Sequence, residues 1–505
     1  MSRYGSFKYG GAKYGASVNP NLLWALEVDW DGDGVFDGSN DAVRMIGLRT
    51  ERGDNYYLSG DGRGFESHGI GFAMLTVDNY DGRFDPYNTA GPLYGKLQPG
   101  VKVKLKVRNG IGGTDYPIIA GILQDIKPYG RRGEVDLVLD DGWRWLSDRD
   151  VSVALQANIY ADDAIKAVAD AAAYPWGYEL DTGPDLIKWW WATGKKAKSE
   201  IEDIANSGIG NVFVAANGKL KYYSRQHADD PVITLHEIEL LKDIVIPQPW
   251  EFQRNIVKLS VKPRVIQSSQ VIWTLNDTPA IQAGESITIW ASYAYNNQSV
   301  PATDVITPEI TTDYTANAAA NGSGADKGAQ ISITITKFAE TSKIVYTNND
   351  AATVYLTMAK LRGKPINAPN TSVIIQEGTN AATMPRVLEL DLLWQQDYNV
   401  GVNLSEYLVD FLQSIQYFPT VLIENRPSIQ FGLDLFDIVS LTLDEWGVDA
   451  NFKIGKITHK FLAPTGQHVR TELKLFPVYL PPVSNYWLLG SAGYSKLGVT
   501  TYLGV

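Results

Sequence analysis

Val77-Asp78-Asn79-Tyr80-Asp81-Gly82-Arg83-Phe84-Asp85-Pro86-Tyr87-Asn88, continuing through Pro92-Leu93-Tyr94-Gly95 to Leu97-Gln98-Pro99-Gly100, is a long polar link between two apolar runs. Before it, Gly71-Phe72-Ala73-Met74-Leu75-Thr76-Val77 reads as a strand; after it, Val101-Lys102-Val103-Lys104-Leu105-Lys106-Val107-Arg108 alternates apolar and basic residues with the period of two of a half-buried antiparallel strand. A link of this length is no hairpin turn. Asp81-Gly82 and Pro86 set turns within it, while Phe84, Tyr87, Leu93 and Tyr94 supply apolar anchors. The expectation is an ordered excursion packed on its own β domain or on a neighbour.

Working outward, Leu22 to Val28 is a further strand and runs into Asp29-Trp30-Asp31-Gly32-Asp33-Gly34-Val35-Phe36-Asp37. Asp29, Asp31, Asp33 and Asp37 fall at positions one, three, five and nine around a Gly at six. That is the spacing of an oxygen-rich calcium loop, in which alternate carboxylates and one backbone carbonyl, here Val35, converge on a hard cation. Position twelve is Asn40 where such loops carry a bidentate Glu, and Asp41 follows one place late. Two readings fit: a Ca2+ site, or an Asp/Gly turn whose backbone is satisfied by Asx-type hydrogen bonds.

Strands at Val43 to Glu51, Tyr116 to Asp125 and Glu134 to Leu139, with the Gly60-Asp61-Gly62-Arg63-Gly64 turn between the first and the rest, complete a small antiparallel barrel or sandwich over 19–150. The face Lys102, Lys104, Lys106 and Arg108 could meet DNA or stand in solvent; no aromatic residue interleaves with it as a stacking platform requires. The texture then changes to an Ala-rich helix at Asp162 to Ala172, and to a second helix starting at the capping box Ser199-Glu200-Ile201-Glu202. Strands Asn211 to Ala215 and Lys219 to Tyr223 follow, joined by Asn217-Gly218. This gives a compact α+β unit over 151–240. The Trp189-Trp190-Trp191 cluster within it suits a core, an interface or a sugar-stacking platform.

Asp243 to Val261 reads as strand, and between about Arg264 and Gly378 charge falls while Thr, Ser, Asn and Ala rise. Clean alternation at Ile331 to Thr336 and Ala352 to Thr357 marks an inserted β-sandwich-like domain, 264–385. A helix near Leu404 to Ile415 and strands at Phe436 to Leu443, Phe452 to His459 and Arg470 to Phe476 close a second barrel formed by 241–263 and 386–480. Both ends, 1–18 and 481–505, repeat Tyr/Gly units and read either as adhesive arms or as frayed termini.

Composition narrows the function classes. A chain of 505 residues suggests three or four domains, and 27 Tyr with 14 Trp tilt it toward strands and contact surfaces. No run is long and apolar enough to cross a bilayer, and Met1 to Gly5 begin no signal-peptide core, so synthesis and assembly are expected in the cytoplasm. The absence of Cys excludes disulfides, thiolate metal sites and Cys nucleophiles. A net charge of −12 argues against a main task of gripping nucleic acid. The chain contains no Gly-x-Ser-x-Gly elbow, His-Glu-x-x-His pair or P-loop, and its five His are scattered; the reading is of a protein that is not an enzyme.

The stretch from Val77 to Gly100, with Val28-Asp29-Trp30-Asp31-Gly32-Asp33-Gly34 upstream and the helix and hairpin from Ile201 to Tyr223 downstream, resembles the tail-tip or baseplate hub proteins of tailed bacteriophages. The likeness covers about the first half of the chain; the second half resembles that family only in pattern. It implies a mainly β protein with two antiparallel β-barrel-like hub domains, a small α/β helper domain and an inserted β-sandwich. It further implies a homotrimer whose six barrels match a hexameric tail tube or distal tail protein, a central spike or fibre on the other side, DNA met only by passage through the channel, and a place in the virion. Phe84, Tyr87, Leu93 and Tyr94 are then the expected interface residues. A carbohydrate-binding or glycan-degrading tail protein is the alternative that the Trp content suggests; a surface adhesin would require an export signal.

Overall fold

The computed structural model describes residues 21–36, 44–54, 58, 69–130, 133–227, 229–241, 243–368, 371–462 and 467–478. The two Tyr/Gly arms, the Gly60 to Gly64 turn and Asp37 lie outside the described residues.

Among the described residues six strands build the first lobe: β1 (Leu22–Val28), β2 (Met45–Gly53), β3 (Phe72–Asp78), β4 (Lys102–Asn109), β5 (Asp115–Tyr129) and β6 (Glu134–Asp141). Period-two patterning acts here as expected. Ala73, Leu75 and Val77 of β3 and Val103, Leu105 and Val107 of β4 are all buried, with the intervening side chains on the opposite face. The strands run antiparallel in the order β1-β4-β5-β6-β3-β2.

Among the described residues the sheet does not close. β1 and β2 stand at its two ends, and the free edge of β2 pairs Arg49 to Gly53 with Lys460 to Lys456 of the strand Val448–Phe461. That 14-residue strand belongs also to the second half, where it pairs with Ile438–Leu443 and Val469–Pro477. One 11-stranded sheet therefore crosses both halves, and the expected pair of barrels is corrected to two lobes of an open sheet. Alternation tells which face of a strand is buried but not which strand lies beside it.

The join between lobes is close-packed. Gly53, at φ +81°, lies so near the Gly455 carbonyl that a Cβ would sit 2.1 Å from that oxygen; a Cβ on Gly455 would strike the Phe476 ring. Two glycines let the strands approach there, and no other residue type would fit. Each lobe keeps its own core, one around Leu26, Leu75, Phe84 and Leu137, the other around Leu235, Ile423, Leu441 and Leu473. Trp24 of β1 packs edge-on against Phe431 and Phe461, so aromatic side chains from the second lobe cover the open side of the first.

The middle unit comprises α1 (Gly142–Ser147), β7 (Asp150–Ile159), α2 (Ala161–Ala171), β8 (Tyr178–Leu180), β9 (Ile187–Lys196), α3 (Ala197–Ser207), β10 (Asn211–Val214) and β11 (Leu220–Tyr223). The expected capping box at Ser199 is not formed. α3 starts two residues earlier after Lys196, and the box acid Glu202 pairs with Lys198 at 2.6 Å; Glu200 beside it is fully buried, accepting from Trp190 Nε1 at 2.9 Å and pairing with Lys195 at 2.9 Å. β12 (Ile233–His236) pairs in parallel with Ile438–Leu443 and so joins the second lobe.

The segment read as continuous strand from Asp243 contains a short 3-10 turn at Trp250–Phe252, and regular pairing in that segment begins at β13 (Ile256–Val261). β13 lies between Ser372–Glu377 and Val387–Leu392, backed by α4 (Tyr398–Leu412) over a core of Val257, Leu259, Leu390, Leu404 and Leu408. The helix α5 (Pro427–Gly432) carries Phe431 into the first core. Between β13 and Ser372, strands arranged around Val354–Asn367 and a three-stranded sheet of Ser286–Ser292, Thr341–Asn348 and Ile331–Lys337 share one core. Arg264 at the base of this insertion lies against both Trp191 and Trp394, 4.4 and 4.8 Å from their ring centroids. No helix among the described residues is long and apolar enough to cross a membrane.

Candidate assembly surface and acidic loop

The link between β3 and β4 is ordered by its own Asp and Asn residues. Backbone bonds advance along it in steps of three: the N–H groups of Gly82, Asp85, Asn88, Gly91 and Tyr94 donate to the carbonyls of Asn79, Gly82, Asp85, Asn88 and Gly91, at 2.9–3.3 Å. Four side chains reinforce these turns, each accepting from the N–H two residues on: Asp78 from Tyr80, Asp81 from Arg83, Asp85 from Tyr87 and Asn88 from Ala90. These are Asx turns, which accounts for the Asp and Asn content of the stretch. Arg44 clamps Asp81 with two bonds of 2.8 and 2.9 Å, and that clamp holds the carboxyl below its usual range.

The four expected interface residues divide. Phe84 is fully buried and Leu93 nearly so, both in the core of the first lobe beside Leu97. Tyr87 is 83% exposed and Tyr94 53%. Tyr80, not among the expected four, is 84% exposed as well. The excursion is thus pinned by Phe84 and Leu93 and leaves three tyrosines exposed. Tyr80 could have been found from sequence: like Tyr87 it follows a capping Asp by two residues, where an Asx turn places a side chain away from the strand it leaves.

The acidic loop adjoins this surface. The Asp29 N–H donates to the Lys102 carbonyl at 2.9 Å, which continues the β1–β4 ladder by one residue. Asp29 is 1% exposed, whereas Asp31 and Asp33 stand in solvent, and one carboxylate oxygen of each of the three lies within 4.8 Å of the others. Gly34, at φ +86°, donates to Asp29 Oδ2 at 3.2 Å, and the Val35 N–H to Asp33 Oδ1 at 2.7 Å. Lys96 of the excursion reaches Asp31 at 3.5 Å, and Lys102 reaches Asp29 at 4.0 Å. Asp37 lies outside the described residues.

The basic face of β4 is occupied by local partners. Lys106 pairs with Glu27 at 2.6 Å, Arg108 with Asp115 at 2.6 Å, and Lys104 sits 4.0 Å over the Phe36 ring. The Trp cluster is likewise committed: Trp190 and Trp191 are buried, edge-on to Trp394.

No family model and no curated protein matches the chain. Solved structures do. The tail protein from Neisseria meningitidis MC58 is 11% identical with a TM-score of 0.47, over 91% of this chain and 98% of that one. The 43 kDa tail protein of prophage MuSo2 from Shewanella oneidensis is 9% identical with a TM-score of 0.47, over 90% and 98%. Prophage tail protein gp18 from Listeria monocytogenes EGD-e is 10% identical with a TM-score of 0.43, over 90% and 94%. These solved structures, to which the chain is similar along most of its length, are tail proteins.

Proposed function

We propose that the chain is a structural virion protein, a tail-tip or baseplate hub that trimerises into a pseudo-hexameric ring joining the tail tube to a central spike or fibre. The observation that carries the reading is the pair of β lobes, each with its own core, set side by side in one sheet of a single chain. Three such chains in a closed ring present six lobes, which suits a threefold partner on one side and a sixfold one on the other. The Val77 to Gly100 resemblance supports the same assignment, and the three exposed tyrosines of the excursion supply a contact surface of the kind that interfaces favour. DNA is met only in transit, consistent with a β4 face neutralised by Glu27 and Asp115. The activity is assembly, not catalysis. The glycan reading loses its main support because Trp190 and Trp191 are core residues.

Light scattering of the purified chain should give a mass about three times 55.7 kDa under assembly conditions, and tail-tip particles should contain the chain. A monomer, with particles lacking the chain, would sink the proposal. Changing Tyr80, Tyr87 and Tyr94 together to Ser should weaken trimer or tail-tip assembly about tenfold or more, with thermal stability little changed, because all three side chains stand on the surface. Undiminished assembly would remove the excursion from the interface.

A further inference from the structure

We propose that the loop from Asp29 to Val35 is a calcium site. The inference stands apart from the tail reading, since it rests on this loop alone. Three carboxylates in one place do not make a site, but the state of Asp29 adds a second observation. Its side chain is 1% exposed; Oδ2 accepts from the Gly34 N–H at 3.2 Å and lies 4.0 Å from Lys102 Nζ, while Oδ1 has no hydrogen-bond partner among the described residues. A buried carboxylate oxygen with nothing to bond is costly, and a cation bound there would satisfy it.

The donor set points to the metal. Asp29, Asp31 and Asp33 offer only carboxylate oxygen, which suits a hard cation. Their placement at positions one, three and five of the loop, with Gly34 at six, is the order in which calcium loops present their carboxylates. The Val35 carbonyl holds the chain position from which such loops supply a backbone ligand. Lys96, 3.5 Å from Asp31, is an exposed competitor whose ion pair is weak enough to yield to a divalent ion. With Asn40 at the twelfth position in place of a bidentate Glu, affinity belongs in the weak class, about 10⁻⁴ to 10⁻³ M.

Trp30, buried beside the three acids, provides an antenna for terbium. The full chain with terbium should show emission sensitised through tryptophan, displaced by Ca2+ in that concentration range. The emission should fall in Trp30→Phe while calorimetric Ca2+ binding persists. It should disappear in the double variant Asp31→Asn with Asp33→Asn, whose exposed positions leave folding intact even if Asp29→Asn does not fold. The melting midpoint of the first lobe should rise by about 2–4 °C between chelator and saturating Ca2+. Emission retained by the double variant, or a midpoint indifferent to Ca2+, would overturn the site. Displacement by Mg2+ at equal concentration would overturn the choice of calcium.

Discussion

Arg52→Ala should destabilise the protein by about 2–3 kcal/mol, below the roughly 3–5 kcal/mol of a fully buried ion pair, because the Asp434 side chain it leaves behind is 24% exposed. Arg52 is 5% exposed on β2, next to Gly53 at the join of the lobes. Its guanidinium donates to Asp434 of the second lobe and, through Nη1, to the Ile118 carbonyl of β5 at 3.2 Å. Asp434 in turn accepts from the Ala216 N–H of the β10–β11 turn at 3.0 Å. One side chain thus ties together three parts of the fold. Removing it strands a carboxylate and a carbonyl, whereas Arg52→Met combined with Asp434→Asn removes both charges and should cost less than Arg52→Ala alone. Urea denaturation of the three proteins checks this; a single-variant loss below about 0.5 kcal/mol, the range of surface substitutions, would contradict it.

The same join should be sensitive to acid through His459. This residue faces Thr50 of β2 across the pairing, its N–H donating to Thr50 Oγ1 at 3.2 Å, with Nδ1 2.9 Å from Thr471 Oγ1. Burial, helped by the nearby Arg52 charge, pushes its pKa down to about 3. A histidine kept neutral in the fold contributes stability that is whole above its unfolded value of about 6.5 and is lost as pH falls toward 3. At about 1.4 kcal/mol per unit, the loss approaches roughly 4 kcal/mol.

Asp141 works against it. Burial pushes that carboxyl up to about 7 although the Trp143 and Gly71 N–H groups donate to it. Its protonated form is the one the fold prefers, so acidification from 7 toward 4 relieves a penalty and stabilises. The two effects oppose each other in the parent protein, and variants should separate them. His459→Gln should gain stability relative to the parent as pH drops from 7 to 4, and Asp141→Asn should lose it. A His459→Gln difference that stays constant across that range would contradict the assignment.

Much of the β3–β4 region was legible because local chemistry governs it. Alternation in β3 and β4 marked their buried faces, and the Asp and Asn residues of the link marked its turns. The split of its aromatic residues was not legible. Phe84 and Tyr87 stand three residues apart in one loop, yet only the position of the sheet beneath decides that one enters the core and the other faces solvent. Glu202 shows the same limit, since its spacing after Ser199 suits a capping box, but the helix starts at Ala197 and Glu202 pairs with Lys198 instead.

The sequence by itself determined strand faces, the ordered link, the acidic loop and the change from β to α+β texture, all of which depend on neighbours within a few residues. The tertiary structure alone decided that the lobes share an open sheet, that Val448–Phe461 completes the edge of β2, and that Gly53, Gly455, Arg52 and His459 meet at the join. Those partners lie about 400 positions apart in the chain, and period-two patterning carries no information about which distant edge a strand will take. Around the link after Val77, sequence supplied the turns and tertiary packing selected the surface that Tyr80, Tyr87 and Tyr94 present, because burial depends on where the rest of the chain comes to rest.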